Sequence, residues 1–240
     1  FHQDLDFSFR RAEGFYSQQN GSNGIATISG NTIMTPQLFD AAPIITKQYQ
    51  MPIKLTRGNV KGSLGLWENE VMKDFVDAVV SPVIKTIVVD TGTLFRKLNT
   101  DAQLERAQIA AGGRGGTRTS LQQIEYGIPN TEMRGLISAV RTYGKNLCIT
   151  HHIGGIYEER LKPNGSESVR IGDTWDGFNQ LGAYVDMIVK TSIKRIPNQP
   201  PMPMVSIETC GYTLDAEGME IPFPSFDNFV SLLNGLRSGV

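Results

Sequence analysis

The sequence predicts an α/β fold built on a mostly parallel sheet flanked by helices. Three observations predict it. Thr86-Ile87-Val88-Val89-Asp90 is a continuous apolar run that ends in a carboxylate, and Asn146-Leu147-Cys148-Ile149-Thr150-His151 is a second run of the same kind. Runs like these read as strands buried on both faces of a sheet. Stretches of helical periodicity lie between and around them, and strand–helix–strand alternation is the pattern of parallel sheets with covering helices. The 240 residues, 40% hydrophobic and 20% charged, suffice for one large domain, 1–240, with a sizeable core.

Taken in order, Phe1 to Asp6 reads as the end of a strand running into a turn, so residues upstream of Phe1 are expected. Residues 8–65 alternate Gly/Asn/Ser clusters with short β-like pieces such as Ile25-Ala26-Thr27-Ile28, and 16–65 carry no functional signal. Trp67, Val71, Met72, Phe75, Val76 and Val79 recur at helical spacing and predict a helix over 66–80. Pro82 precedes the strand at 84–90. Asp101, Leu104, Ala107 and Ile109 predict a helix over 100–111, with Thr100 or Asp101 as its cap. Gly112 to Arg118 reads as a flexible loop. Met133, Leu136, Ile137 and Val140 mark a helix over about 130–143, with Pro129 near its first turn and Gly144 ending it. After the strand at 146–151, residues 154–182 read as a glycine-bearing loop. Val185–Lys190 and Met204–Thr209 are further strands joined by a Pro-rich link. Phe226, Phe229, Val230, Leu233 and Leu236 close the chain as a helix.

Bulk properties exclude some functions. A net charge of -1 gives no global basic field, so contact with nucleic acid has to come from a local patch. Cys148 and Cys210 lie in apolar runs and read as buried, reduced thiols of a cytoplasmic protein. No apolar run approaches transmembrane length, so no membrane partner is expected. Three His and two Cys without paired-ligand spacing give no zinc site.

The chemistry is expected at the carboxyl ends of the strands, where open α/β sheets bind ligands. Asp90 either holds Mg²⁺ in a phosphate-handling site or caps the next turn. If the two buried strands are neighbours, Asp90, Thr150 and His151 share one edge; hydroxyl or imidazole there suits contact with a terminal phosphate. Strand capping or packing is the alternative for His151 and His152. Alternation puts Asp4 and Asp6 on one face, where a carboxylate either orients an attacking water or belongs to a turn.

The ordered set Asp4-Leu5-Asp6, Thr86 to Thr91, Glu125-Tyr126-Gly127, Asn146 to His151 and Val189-Lys190 resembles the RecA-like P-loop ATPases carried by bacteriophages, the AAA-domain nucleotide-binding proteins that include single-strand-annealing recombinases. The resemblance runs over most of 84–240 and weakly over 1–15. It implies a RecA-like core with an antiparallel C-terminal extension, binding ATP and Mg²⁺ and acting on single-stranded DNA in recombination or replication. Asp90 matches the Walker B carboxylate, with Thr91 beside it; Asp4 or Asp6 would position water; Thr150 and His151 would sense the terminal phosphate. Lys190 and Lys194 would reach a neighbouring subunit's nucleotide in a ring or filament. The sequence departs from the family in one respect. No Gly-x-x-x-x-Gly-Lys-[Ser/Thr] run occurs, so the phosphate cradle is expected upstream of Phe1, or else lost in a non-hydrolysing relative. Loops 112–118 and 153–183 carry Arg114, Arg118, Arg160, Lys162 and Arg170, with Tyr157 and Trp175 placed to stack on bases. Solvated loops with scattered charge are the alternative, and Glu158, Glu159, Glu167, Asp173 and Asp176 dilute the positive field. A helicase or packaging motor shares the same core.

Overall fold

The computed structural model describes residues 2–4, 25–29, 44–54, 58–112, 118–162, 165–178 and 180–238. The fold is mixed α/β and falls into two compact units, Phe1–Asn179 and Gln180–Val240. In the first unit, β1 (His2–Asp4), β2 (Ile25–Ser29), β3 (Ile44–Gln48), β4 (Thr86–Asp90) and β5 (Asn146–Ile149) form one sheet in the order β2-β3-β1-β4-β5. Every described pairing in it is parallel. Asp4 stands level with both Gln48 and Asp90, so three strands end together.

Burial along β4 alternates. Ile87 and Val89 are buried, Val88 and Asp90 are half-buried and Thr86 is exposed. The expectation of burial on both faces therefore fails at β4 and β5. The reason is polar composition on the second face, where Asn146 Nδ2 donates to Thr86 Oγ1 at 3.3 Å and Cys148 is exposed. Cys148 thus departs from the expected buried thiol, while Cys210 is buried as expected.

The helix expected over 66–80 is a continuous run of α1 (Ser63–Leu66), a π-helical turn (Trp67–Val71) and α2 (Met72–Val80). Gly62 stands at its start without a capping side chain, at φ +86°. The Glu105 carboxylate supplies the missing acceptor, taking hydrogen bonds from Gly62 N (3.0 Å) and Leu64 N (2.7 Å).

Helix α3 (Gly92–Ala110) begins eight residues earlier than expected. Phe95, Leu98 and Ala102 extend its buried stripe back to β4, and Thr91 is the cap rather than Thr100 or Asp101. Thr100 sits inside the helix, its hydroxyl donating to Arg96 O at 3.0 Å. Helix α4 (Gly127–Thr142) follows a 3-10 turn at Gln123–Tyr126. It ends at Gly144, at φ +65°, with Gly144 N donating to Arg141 O and Lys145 N to Val140 O, the double bond of a left-handed helix stop.

Trp67 meets Phe95 edge-on at 4.9 Å between ring centroids, and Phe75 lies 6.2 Å from the same ring, joining the first helical run to α3. Beside this core an ionic cluster is almost fully buried. Lys47 pairs with Asp74, Tyr49 Oη donates to Asp74 Oδ2 at 2.8 Å, and Lys47 Nζ lies 5.3 Å from the Tyr49 ring centroid.

Where a loop is expected over 154–182, the chain forms an antiparallel hairpin of β6 (His152–Lys162) and β7 (Gly165–Asp176), with a bulge between Ile156 and Tyr157. Its Gly, Glu and Arg content is low in strand propensity, and cross-strand pairing overrides that. In the second unit, β8 (Met187–Lys194), β9 (Met202–Cys210) and β10 (Glu220–Pro222) form an antiparallel sheet. Helix α5 (Phe226–Ser238) packs Phe229, Leu232, Leu233 and Leu236 against Ile207, Cys210 and Ala216.

Candidate functional site

The carboxyl edge of the parallel sheet gathers several of the expected residues. Hydrophobic alternation drives β4 into the core and leaves Asp90 at its end. Thr150 N donates to Val89 O at 3.1 Å, which extends the β4–β5 pairing by one residue past Ile149. The Thr150 hydroxyl is thereby level with Asp90 and donates to its Oδ1. Gly92 N donates to Thr150 O at 2.7 Å, closing the first turn of α3 onto the same strand end. The Asp90–Thr91 peptide bond is cis. Asp4 is in register with Asp90 on the neighbouring strand, and Asp6 lies outside the described residues.

Thr91 is expected to face the cofactor, yet it is buried and its hydroxyl accepts from Leu94 N at 3.3 Å as the cap of α3. His151 is similarly engaged. Its Nδ1 lies 3.1 Å from Asp176 O. A carbonyl oxygen only accepts, so Nδ1 carries the proton and donates. Nε2 is buried, without a hydrogen-bond partner among the described residues. Burial pushes this imidazole below its usual value of 6.5; Asp176 opposes the shift and His152 adds to it. Both ring nitrogens therefore face protein, which leaves the Thr150 hydroxyl, exposed beside Asp90, as the group better placed to meet a ligand. Cys148 is exposed as a residue, but partial desolvation of its thiol against the sheet, and then the Asp90 charge, push that thiol upward.

Sequence reasoning missed three residues here. Gly92 and Gly177 approach the His151 ring closely at its Cε1 end, Gly92 along the Cε1–Nε2 edge and Gly177 along the Cε1–Nδ1 edge; a Cβ on either would fall 2.6–2.7 Å from ring atoms. Thr93 accepts from His152 N at 3.0 Å and donates to Asp176 O. The Thr-Gly-Thr run directly after Asp90 was the available signal, because small and hydroxylated residues at a strand-to-helix turn permit close approach.

The candidate nucleic-acid residues are scattered. Arg114 lies outside the described residues, and Lys162 ends β6. Arg118 pairs with Glu125 and donates from Nε to Ser120 O at 3.1 Å. On the hairpin, Arg160 meets Glu158 at 3.1 Å and Arg170 meets Asp173 at 2.5 Å. Tyr157 is exposed, whereas Trp175 is anchored through Nε1 to Phe178 O at 3.2 Å. Lys190 and Lys194 belong to the second unit, on β8 opposite Ser206 and Met202 of β9.

Among the described residues no three or more His, Cys, Asp and Glu side chains gather as a metal cluster, and no helix is long and apolar enough to cross a membrane. No protein-family model and no curated protein matches this chain.

Proposed function

We propose that the chain is a nucleotide-handling protein of RecA-like type, using the carboxyl edge of its parallel sheet to bind ATP with Mg²⁺. The observation that carries the reading is the Asp90–Thr150 pair at the level ends of adjacent parallel strands, with Asp4 in register on the next strand. Open parallel sheets bind ligands at that edge. Mg²⁺ takes one or two carboxylates and completes its shell with phosphate and water oxygens, so Asp90 fits a metal even without a multi-residue cage. The bound metal would supply charge neutralisation at the phosphates. Asp90 would hold it, and the Thr150 hydroxyl, whose one proton is donated to Asp90 Oδ1, orients the carboxylate; it meets a terminal phosphate only by turning that proton from Asp90 to a phosphate oxygen. Asp4 or Asp6 orients water, and Lys190 and Lys194 serve a neighbouring copy in a ring or filament. Single-stranded DNA is the proposed polymer partner, with Tyr157 stacking on bases beside Arg160, Lys162 and Arg170.

Mg²⁺-dependent ATP binding, titrated calorimetrically, tests this reading. Weak binding is expected, since these 240 residues contain no Gly-x-x-x-x-Gly-Lys-[Ser/Thr] cradle. Asp90→Ala is expected to remove the Mg²⁺ dependence, and to lower any turnover about a hundredfold or more, while thermal unfolding changes little. ATP binding that is indifferent to Mg²⁺, or turnover unchanged in Asp90→Ala, sinks the assignment. A second reading is a scaffold with this fold that does not hydrolyse nucleotide. No ATP binding at any Mg²⁺ concentration, by these residues and equally with any coding sequence upstream of Phe1 included, would favour that one.

A further inference from the structure

We propose that Thr93 is the positioning residue of this edge: by holding the His152 amide and the Asp176 carbonyl together, its hydroxyl seats the His151 ring against Gly92 and Gly177 and fixes the ring's orientation beside the Asp90–Thr150 pair. The proposal rests on the reading above only in calling that edge a site. Its geometry stands by itself.

Thr93 lies in the first turn of α3, three residues after Asp90. Its single hydroxyl accepts from His152 N at 3.0 Å and donates to Asp176 O, so it touches the first residue of β6 and the last residue of β7 at once. Those two residues are directly opposite in the hairpin register. The Asp176 carbonyl takes a second donor, His151 Nδ1–H. One acceptor thus aligns the hydroxyl and the ring. The seat itself is tight. A Cβ at Gly92 would stand 2.6 Å from Cε1 and Nε2 of His151, and one at Gly177, which is at φ +157°, 2.7 Å from Cε1 and Nδ1. The two glycines thus lie close against the Cε1 end of the ring, and withdrawal of the hairpin root from α3 would loosen that seat. Thr93 is one bond that opposes this, tying both strands of the root to the first turn of α3. Losing its hydroxyl leaves His152 N and one lone pair of Asp176 O without their described side-chain partner, and hydration of the opened root replaces them.

The test is the imidazole ¹⁵N spectrum of the whole 240-residue chain at about pH 8, where an ordinary histidine is neutral. The chain has three histidines, and His151→Asn identifies the signal. Wild type is expected to show His151 as one tautomer, protonated at Nδ1. Thr93→Val keeps the shape and removes the hydroxyl; the signal is expected to shift to a tautomer mixture with Nε2–H populated. Thr93→Ser is expected to restore the wild-type spectrum, which a merely space-filling role would not do. If the valine variant does not fold, Thr93→Ala takes its place. A wild-type ring protonated at Nε2, or a hydroxyl-free variant retaining the pure Nδ1–H form, overturns the proposal. The readout needs no nucleotide, so failure of ATP binding would remove the functional reading and leave the Thr93 result intact.

Discussion

Lys47 and Asp74 show how much a single buried pair controls. Both are nearly inaccessible, and the Asp74 carboxylate has two described partners, the Lys47 ammonium and the Tyr49 hydroxyl. Breaking a buried pair leaves a charge uncompensated, so Lys47→Met is expected to destabilise the fold by about 3–5 kcal/mol. Tyr49→Phe removes one hydrogen bond to a charged group and should cost about 1.5–3 kcal/mol. Urea unfolding of the two variants checks the order, and a Lys47→Met protein as stable as wild type would contradict the pair. None of this was legible in the sequence, because Ile44 to Tyr49 sits in a region whose turn clusters masked a strand. Asp90 and Thr150 were legible, since an apolar run ending in a polar residue marks a strand's ligand-facing end. Thr91, Thr93 and the seat of His151 were not. Which hydroxyl caps a helix and which bridges to a hairpin depends on long-range packing, which adjacency in sequence does not reveal.

At the scale of elements, periodicity located helices well where the apolar stripe was dense, as over 66–80 and 130–143. It lost the first eight residues of α3, where Arg96, Lys97 and Asn99 interrupt the stripe that Phe95, Leu98 and Ala102 maintain. Hairpin β6–β7 was read as a loop for a related reason: its pairing energy is cross-strand, and propensity is a local measure. The start of α1 depends on a residue 43 positions away, since Glu105 caps Gly62 N. Glu105→Gln keeps the shape but replaces one of the two acceptor oxygens with an NH2 donor, so one of the bonds is lost and the other weakened, and about 1 kcal/mol or more of stability is expected to be lost. Hydrogen exchange should quicken first at the Gly62 and Leu64 amides. Unchanged protection there would show that the cap carries no weight.

Across the whole molecule, the near-neutral charge limits how any polyanion is held. The hairpin offers three cations, Arg160, Lys162 and Arg170, against five acidic residues, and Arg160 and Arg170 are each paired to an acid. If single-stranded DNA binds there, three neutralised phosphates give a slope of log affinity against log salt of about −2. Fluorescence anisotropy with an oligothymidine at several salt concentrations measures it. A slope far steeper would place the nucleic acid on another surface, and no binding at low salt would remove DNA as the partner. The α/β class was visible from strand–helix alternation, whereas the division into two compact units was not, because no composition break accompanies it. The bridge formed by Thr93 has one more consequence, a matter of leverage. Strand β6 has 11 residues, so a straight arm of that length would reach roughly 36 Å, somewhat less with the bulge. Over such an arm a tilt of about 5° at the root sweeps the far end through about 3 Å. A change at the fulcrum, such as loss of the Thr93 hydroxyl, would therefore be magnified along the arm.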